Sequence, residues 1–150
     1  PRILIADEPT TALDVLVQAQ TLDLLKQIKK DTQMSILFIT HDLAVVAEIA
    51  ERVMVMYAGE IVESGLVYDV FRAPLHPYTV GLMKSIPTLE STQQKVSKLS
   101  EISGAVPSLS QIPSGCPFHP RCPSAETRCQ TDKPRLKETA HAHAVSCWLH

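Results

Sequence analysis

The chain has 150 residues, of which 45% are hydrophobic and 20% charged, a composition typical of a globular domain that can bury a core. The formal net charge is -2, which argues against a protein that coats nucleic acid, because such proteins carry excess basic charge. No apolar run approaches the roughly 20 residues that a bilayer span requires. Because the sequence begins at Pro1 rather than a methionine and a buried-type strand starts at residue 3, we expect a piece of a longer protein.

The first half predicts a strand–helix–strand–helix order. Residues 3–6 and 36–39 are continuous apolar runs, typical of strands covered on both faces, as in a parallel sheet. Between them, apolar residues recur every three or four positions over residues 14–30, which predicts a helix. Asp42 is placed to cap a second helix, and residues 53–62 predict a hairpin. The pattern indicates an α/β fold with a parallel sheet and flanking helices.

Three polar side chains follow the two predicted parallel strands. Asp7 and Glu8 end the first strand, and His41 follows the second. Such residues are common in turns and caps for purely structural reasons. However, ligands of parallel sheets bind at the carboxyl ends of the strands. There, one carboxylate can hold Mg²⁺ and the next can polarise a water that attacks phosphorus.

The sequence around these residues resembles three motifs of one known family. Residues 4–10, Leu-Ile-Ala-Asp-Glu-Pro-Thr, resemble the Walker B segment of ATP-binding-cassette (ABC) ATPases. Residues 11–14, Thr-Ala-Leu-Asp, resemble the D-loop of that family, which is normally of the Ser-Ala-Leu-Asp type. Residues 40–42, Thr-His-Asp, resemble its switch histidine. The three motifs, in this order and spacing, imply part of a P-loop NTPase sheet that works on ATP with Mg²⁺.

The same resemblance implies a role for each residue. Asp7 would help to hold Mg²⁺ through water, and Glu8 would be the catalytic base. His41 would contact the γ-phosphate and the attacking water, and Asp14 would lie at a dimer interface. The family's Gly-x-x-x-x-Gly-Lys-Ser/Thr loop and its Leu-Ser-Gly-Gly-Gln signature do not occur in these 150 residues. Because that loop supplies the amides that cradle the phosphates, we expect the chain by itself to be inactive.

The second half resembles one branch of the family. Residues 76–79, His-Pro-Tyr-Thr, together with residues 103–107 and 115–123, resemble segments of the ATPase subunits of oligopeptide, dipeptide and nickel importers. The resemblance implies that residues 1–72 are the carboxyl-terminal portion of the ATPase core. Residues 73–150 would be a mostly irregular, cysteine-containing extension of the transporter type.

Four cysteines fall in the last third of the chain: Cys116, Cys122, Cys129 and Cys147. Their spacing leaves bare thiols, two disulfides, zinc and an iron–sulfur cluster open. Zinc sites usually show paired Cys-x-x-Cys knuckles, which are missing here, whereas cluster spacing is looser and Cys-Pro pairs recur. Disulfides fit poorly beside an ATPase that works in reducing cytosol.

The resemblance implies a [4Fe–4S] cluster on these four cysteines, with Zn²⁺ as the alternative. His119, His141 and His143 are candidate zinc ligands in that alternative. Otherwise we expect these three imidazoles to be solvated, because His141 and His143 lie in an alanine-rich stretch without a pattern.

The resemblance implies that the intact protein hydrolyses ATP to power import of peptides, or of small solutes such as nickel, across the inner membrane. Its partners would be a second ATPase subunit, transmembrane permease subunits and, indirectly, a substrate-binding protein, with no nucleic acid. It would lie peripherally on the cytoplasmic face. The alternatives are a stand-alone metal or iron–sulfur module, a non-transport ABC ATPase and an inert gene fragment. The segment over residues 76–78 and the cysteines argue against a non-transport role.

Overall fold

The computed structural model of the protein describes residues 1–86, 102–139 and 142–150. The chain forms two compact units, Pro1–Glu51 and Arg52–His150. The predicted division between residues 72 and 73 concerns family modules and stays a prediction. In the described ranges, no helix is long and apolar enough to cross a membrane.

The first unit has the predicted order: β1 (Ile3–Asp7), α1 (Val15–Thr32), β2 (Ser35–Ile39) and α2 (Leu43–Ile49). The two strands pair in parallel from Ile3↔Ser35 to Asp7↔Ile39, so their carboxyl ends are level. The predicted α/β class is therefore confirmed.

Side-chain caps define where the helices of this unit begin. The Asp14 carboxylate accepts the amides of Leu16 at 3.0 Å and Val17 at 2.9 Å. Asp42 caps α2 in the same way, as predicted. Each cap satisfies backbone donors that the first turn of a helix leaves without partners.

The expectation that both faces of these strands are covered is wrong for this chain. Exposed and half-buried residues alternate along β1 and β2. The exposed fraction is 62% at Ile3 and 64% at Ile5. Within the described residues the sheet has only these two strands, and one of its apolar faces is open to solvent.

The second unit begins with the predicted hairpin of β3 (Arg52–Tyr57) and β4 (Glu60–Leu66). Ala58 and Gly59 both have positive φ, 48° and 83°, as required at the two central residues of a tight type I′ turn. The helices that follow are α3 (Val67–Arg72) and α4 (Pro77–Lys84). α4 begins at Pro77, because proline suits the first position of a helix.

The remainder of this unit is more regular than expected. It contains a 3₁₀ turn (His119–Arg121), α5 (Arg128–Thr131), β5 (Lys137–Glu138) and β6 (Ala144–Val145). The strand order is β3-β4-β6-β5, and every neighbouring pair is antiparallel. The carboxyl-terminal strands thus extend the hairpin into a four-stranded sheet.

One core joins the hairpin to the later segments of the unit. It consists of Val55, Tyr57, Val62, Val70 and Phe118. The ring of Phe118 packs edge-on against Tyr57 at 5.1 Å between centroids, a geometry that aromatic pairs favour. Phe118 lies two residues after Cys116, so this packing also anchors the cysteine segment.

Candidate functional site

The carboxyl ends of β1 and β2 carry the predicted polar cluster. The amide of Glu8 donates to the carbonyl of Ile39 at 2.9 Å, which continues the parallel register by one residue. The Glu8 backbone has φ +46°, a left-handed conformation that is unfavourable for a residue with a Cβ. This turn directs the Glu8 side chain toward the loop after β2.

Two side chains hold the Glu8 carboxylate. The hydroxyl of Thr11 donates to Oε2 at 2.9 Å, and Nδ1 of His41 lies 3.3 Å from Oε1. The structure therefore brings Glu8 and His41 together across 33 residues of sequence, as predicted. Thr11 is a site residue that the sequence reasoning missed, although it lies within the predicted D-loop.

The Glu8 carboxyl is ionised, and both side chains are accessible to solvent. The hydrogen bond from Thr11, and then that from His41, lowers the pKa of the Glu8 carboxyl below its usual value. The exposed fraction of the side chain is 47% at Glu8 and 75% at His41. A charged carboxylate beside an accessible imidazole can orient a water and accept its proton.

The other two predicted residues of the first unit occupy different positions. Asp7 is the exposed last residue of β1, next to Glu8, and its carboxylate offers the hard oxygen ligands that Mg²⁺ prefers. Asp14 uses its carboxylate as the amino-terminal cap of α1. The roles predicted for both residues stay predictions.

The second unit brings all four cysteines to one small cavity, which we call the thiol cavity. Its wall also includes His76, Pro77, Phe118, His119, Ser124, Pro134, Trp148 and Leu149. The amide of Cys116 donates to the carbonyl of Cys129 at 2.8 Å, which joins two of the cysteine segments directly. None of the four cysteines forms a disulfide.

Burial determines the protonation of these thiols. It is the main cause that raises the pKa of Cys116, Cys122 and Cys147, and the neighbouring cysteines add to the increase. These thiols are therefore protonated at neutral pH, and a metal would have to displace their protons in order to bind.

The described residues confirm neither the predicted cluster nor the zinc alternative. Among them, no three His, Cys, Asp or Glu side chains are grouped so that they could hold one metal ion. His119 lines the thiol cavity, with Nδ1 2.9 Å from the carbonyl oxygen of Cys116. The prediction for His141 lies outside the described residues.

The expectation that His143 is solvated is wrong. Its exposed fraction is 6%, and Nε2 lies 2.7 Å from Oε1 of Glu63. The cause is β6, which pairs with β4 and brings the residue just before it onto Glu63. The sequence reasoning missed Glu63 as well, because its partner is 80 residues away.

Comparisons with known proteins agree on one family. Residues 62–129 match the family described as "Oligopeptide/dipeptide transporter, C-terminal region". The chain is 53% identical to a putative peptide import ATP-binding protein of Brucella ovis, over 98% of this chain and 44% of that protein. It is 50% identical to the oligopeptide transport ATP-binding protein AppD of Bacillus subtilis, over 100% of this chain and 45% of that protein.

The dipeptide transport ATP-binding protein DppD of Bacillus subtilis is 49% identical over 99% of the chain and 44% of its own length. The chain thus spans less than half the length of these curated relatives. The family match and the similarity over the whole chain point the same way: the chain is similar throughout to the ATP-binding proteins of oligopeptide and dipeptide importers.

Proposed function

We propose that this chain is part of the ATP-hydrolysing subunit of an importer of peptides or of small solutes such as nickel. The observation that carries the proposal is the approach of His41 to the Glu8 carboxylate, 3.3 Å between Nδ1 and Oε1. Parallel strands with level ends bring the two residues together, at the edge of the sheet where such folds bind ligands.

In the proposed mechanism, water attacks the γ-phosphorus of ATP. Glu8 orients this water and accepts its proton, because its carboxylate is ionised and half-exposed. His41, which lies just after β2, contacts the water and the γ-phosphate. Asp7 would hold Mg²⁺, which neutralises phosphate charge when bound. Asp14 would lie at the interface with a second ATPase subunit.

The names of the relatives support the partners and the location. Because AppD and DppD are named as transport ATP-binding proteins, we assign this chain to an assembly with transmembrane permease subunits and a substrate-binding protein. Its place would be peripheral, on the cytoplasmic face of the inner membrane. The cargo would be selected by the permease and the binding protein.

The thiol cavity would hold a [4Fe–4S] cluster. All four cysteines line this one cavity, and their spacing lacks the paired Cys-x-x-Cys knuckles that are usual for zinc. In a four-iron cluster each thiolate binds a different iron, so ligands spread around a cavity suit it better. The four cysteines would bind the cluster, which supplies metal–sulfur bonds that order the surrounding loops.

A chimera tests the ATPase proposal. The matching segment of AppD is replaced by this chain, and phosphate release is measured with Mg²⁺. We expect activity in the chimera and a loss of about 100-fold or more in Glu8→Gln, since a general base contributes that much. His41→Ala should also lose most of the activity.

Glu51→Gln is the matched control, because Glu51 is an exposed acid of the same unit that pairs with Lys29 at 2.5 Å. It should leave the rate unchanged. Full activity in Glu8→Gln would contradict the proposal. The 150-residue chain alone should release no phosphate, and steady Mg²⁺-dependent release would overturn that expectation.

The cluster is tested separately. The chain is incubated anaerobically with iron and sulfide, and visible absorbance is recorded. Cys147→Ser should lose most of this absorbance, whereas Ser124→Ala, which changes a cavity residue without a thiol, should keep it. A wild-type chain that develops no visible absorbance would overturn the cluster and leave the ATPase proposal intact.

A further inference from the structure

Glu63 is a fully buried acid at the centre of the second sheet. Its exposed fraction is 0%. On β4 it pairs with Val55 of β3 on one side and Val145 of β6 on the other. A buried carboxylate is costly unless donors surround it, so its partners identify what it does.

Three nitrogen atoms lie within hydrogen-bond distance of the Glu63 carboxylate. Oε1 accepts the amide of Leu75 at 2.7 Å, and Oε2 accepts the amide of His76 at 2.9 Å. Nε2 of His143 lies 2.7 Å from Oε1. In the tautomer with its proton on Nε2, His143 donates to this oxygen.

The two backbone donors fix the entrance to α4. Leu75 and His76 directly precede that helix, and Nδ1 of His76 accepts the amide of Tyr78 at 3.1 Å as the helix cap. His76 and Pro77 both line the thiol cavity. Glu63 therefore holds one part of the wall of the cavity through the backbone of α4.

The third donor fixes the carboxyl-terminal segment. His143 precedes β6, and the same segment continues into Cys147 and Trp148, which also line the thiol cavity. One carboxylate therefore contacts both the α4 entrance and the segment that supplies the fourth cysteine.

We infer that Glu63, through His143 and the amides of Leu75 and His76, is the positioning residue that assembles the thiol cavity. Without this carboxylate, the two parts of the wall lose their common hydrogen-bond partner and separate. By linkage, anything that binds in the assembled cavity stabilises the α4 entrance as well. This inference goes beyond the proposed function and holds whether or not the chain takes part in ATP hydrolysis.

The test compares two acids of one strand. Glu63→Gln keeps the size of the side chain but turns an amide donor toward existing donors. Glu60→Gln is the matched control at the start of β4, where Glu60 pairs with Lys133 near the surface. Alkylation of each cysteine in the 150-residue chain is followed by peptide mass spectrometry, together with the fluorescence of Trp148, the only tryptophan.

We expect Cys147 to be alkylated about tenfold faster or more in Glu63→Gln, because local opening exposes it. The emission of Trp148 should shift to the red, and amide exchange at Leu75 and His76 should accelerate. Glu60→Gln should match the wild type. Unchanged protection of Cys147 in Glu63→Gln would overturn the inference.

A second pair of variants separates positioning from general loss of folding. Glutamine keeps a nitrogen donor near the place of Nε2, so His143→Gln should keep Cys147 protected. His143→Leu removes the donor and should expose Cys147 as Glu63→Gln does. Equal behaviour of His143→Gln and His143→Leu would overturn the inference, even if Glu63→Gln fails to fold.

Discussion

Glu8 combines an unfavourable backbone with an ionised side chain. Thr11 contributes to both features, since its amide donates to the Glu8 carbonyl at 3.1 Å and its hydroxyl to the carboxylate at 2.9 Å. The hydroxyl is the largest cause of the lowered pKa of Glu8. Thr11 thus orients the carboxylate before any ligand arrives.

Removing this hydroxyl should change the titration of Glu8. In Thr11→Ala we expect the pKa of the Glu8 carboxyl to rise toward its ordinary value, measured by carbon-13 NMR of the side-chain carboxyl against pH. Thr11→Ser keeps the hydroxyl and should titrate like the wild type. A pKa that does not move in Thr11→Ala would show that His41 alone sets it.

Gly115 is the residue at which the cysteine segment tolerates no side chain. Its φ is +70°, and an added Cβ would lie 2.3 Å from the carbonyl oxygen of Cys129. That oxygen accepts the amide of Cys116, so the close approach of the two segments requires glycine here.

Two glycine substitutions separate backbone strain from this clash. Gly104 also has a positive φ, +82°, but an added Cβ would lie 3.5 Å from Arg121 Cγ, an ordinary contact. We expect Gly104→Ala to cost about 1 kcal/mol of unfolding free energy. Gly115→Ala should cost roughly 2 kcal/mol more, because the Cys116–Cys129 hydrogen bond is lost as well. Urea denaturation measures both, and equal losses would contradict the argument.

At the scale of elements, a buried histidine, His76, caps the amino-terminal end of α4. His76 has an exposed fraction of 1%. Burial lowers its pKa from 6.5 to about 4, with His150 also lowering it and the charge of Glu63 opposing the shift. The folded protein therefore keeps His76 neutral, as its capping role requires, whereas the unfolded chain binds a proton below pH 6.5.

The stability of the second unit should consequently fall as the pH is lowered. Because the unfolded state binds the additional proton, the free energy of unfolding should decrease between pH 6.5 and 4, by about 3 kcal/mol from His76. Asparagine is a good cap and does not titrate, so His76→Asn should flatten this dependence. Urea unfolding followed by Trp148 fluorescence measures it, with His41→Asn as the control. An identical slope in His76→Asn and the wild type would refute the assignment.

The longer elements could be predicted, whereas the shortest could not. α1 and α2 have capping aspartates at Asp14 and Asp42, and β1 and β2 are continuous apolar runs. By contrast, β5 and β6 have two residues each, too few to show any periodicity. β6 exists because β4 offers an edge for pairing, and β5 in turn pairs with β6, which no local pattern reveals.

At the scale of the whole chain, the two units differ in how much core they have. In the first unit the buried hydrophobic residues are Leu22 and Val45, whereas the second has the cluster around Phe118. A two-stranded sheet is marginal without a covered face. We therefore expect the two units to differ in stability when they are separated.

We expect residues 52–150 to fold alone and residues 1–51 to remain largely unfolded. Amide exchange and circular dichroism of the two fragments measure this, with the 150-residue chain as reference. A folded first fragment would mean that its exposed apolar residues are dispensable. An unfolded second fragment would mean that its core is insufficient.

The two sites differ in how far sequence could reveal them. Glu8 and His41 each follow a parallel strand, and topology alone makes such ends meet. Glu63 and His143 meet because a two-residue strand returns from 80 positions away. A buried acid in an apolar strand looks like any surface position until its donors are known. The cysteines were visible as a group, but the residues that position them were not.

The open face of the first sheet has a practical consequence. Ile3, Ile5, Leu37 and Ile39 all show large exposed fractions, and the register places them on one side of β1 and β2. Among the described residues, each of these strands pairs on one side only, and such a patch promotes self-association. Preparations of this chain should scatter more light as they are concentrated, and a lysine in place of Ile5 should keep them clear. We expect self-association, rather than thermal unfolding, to limit the concentration at which the isolated polypeptide can be kept in solution.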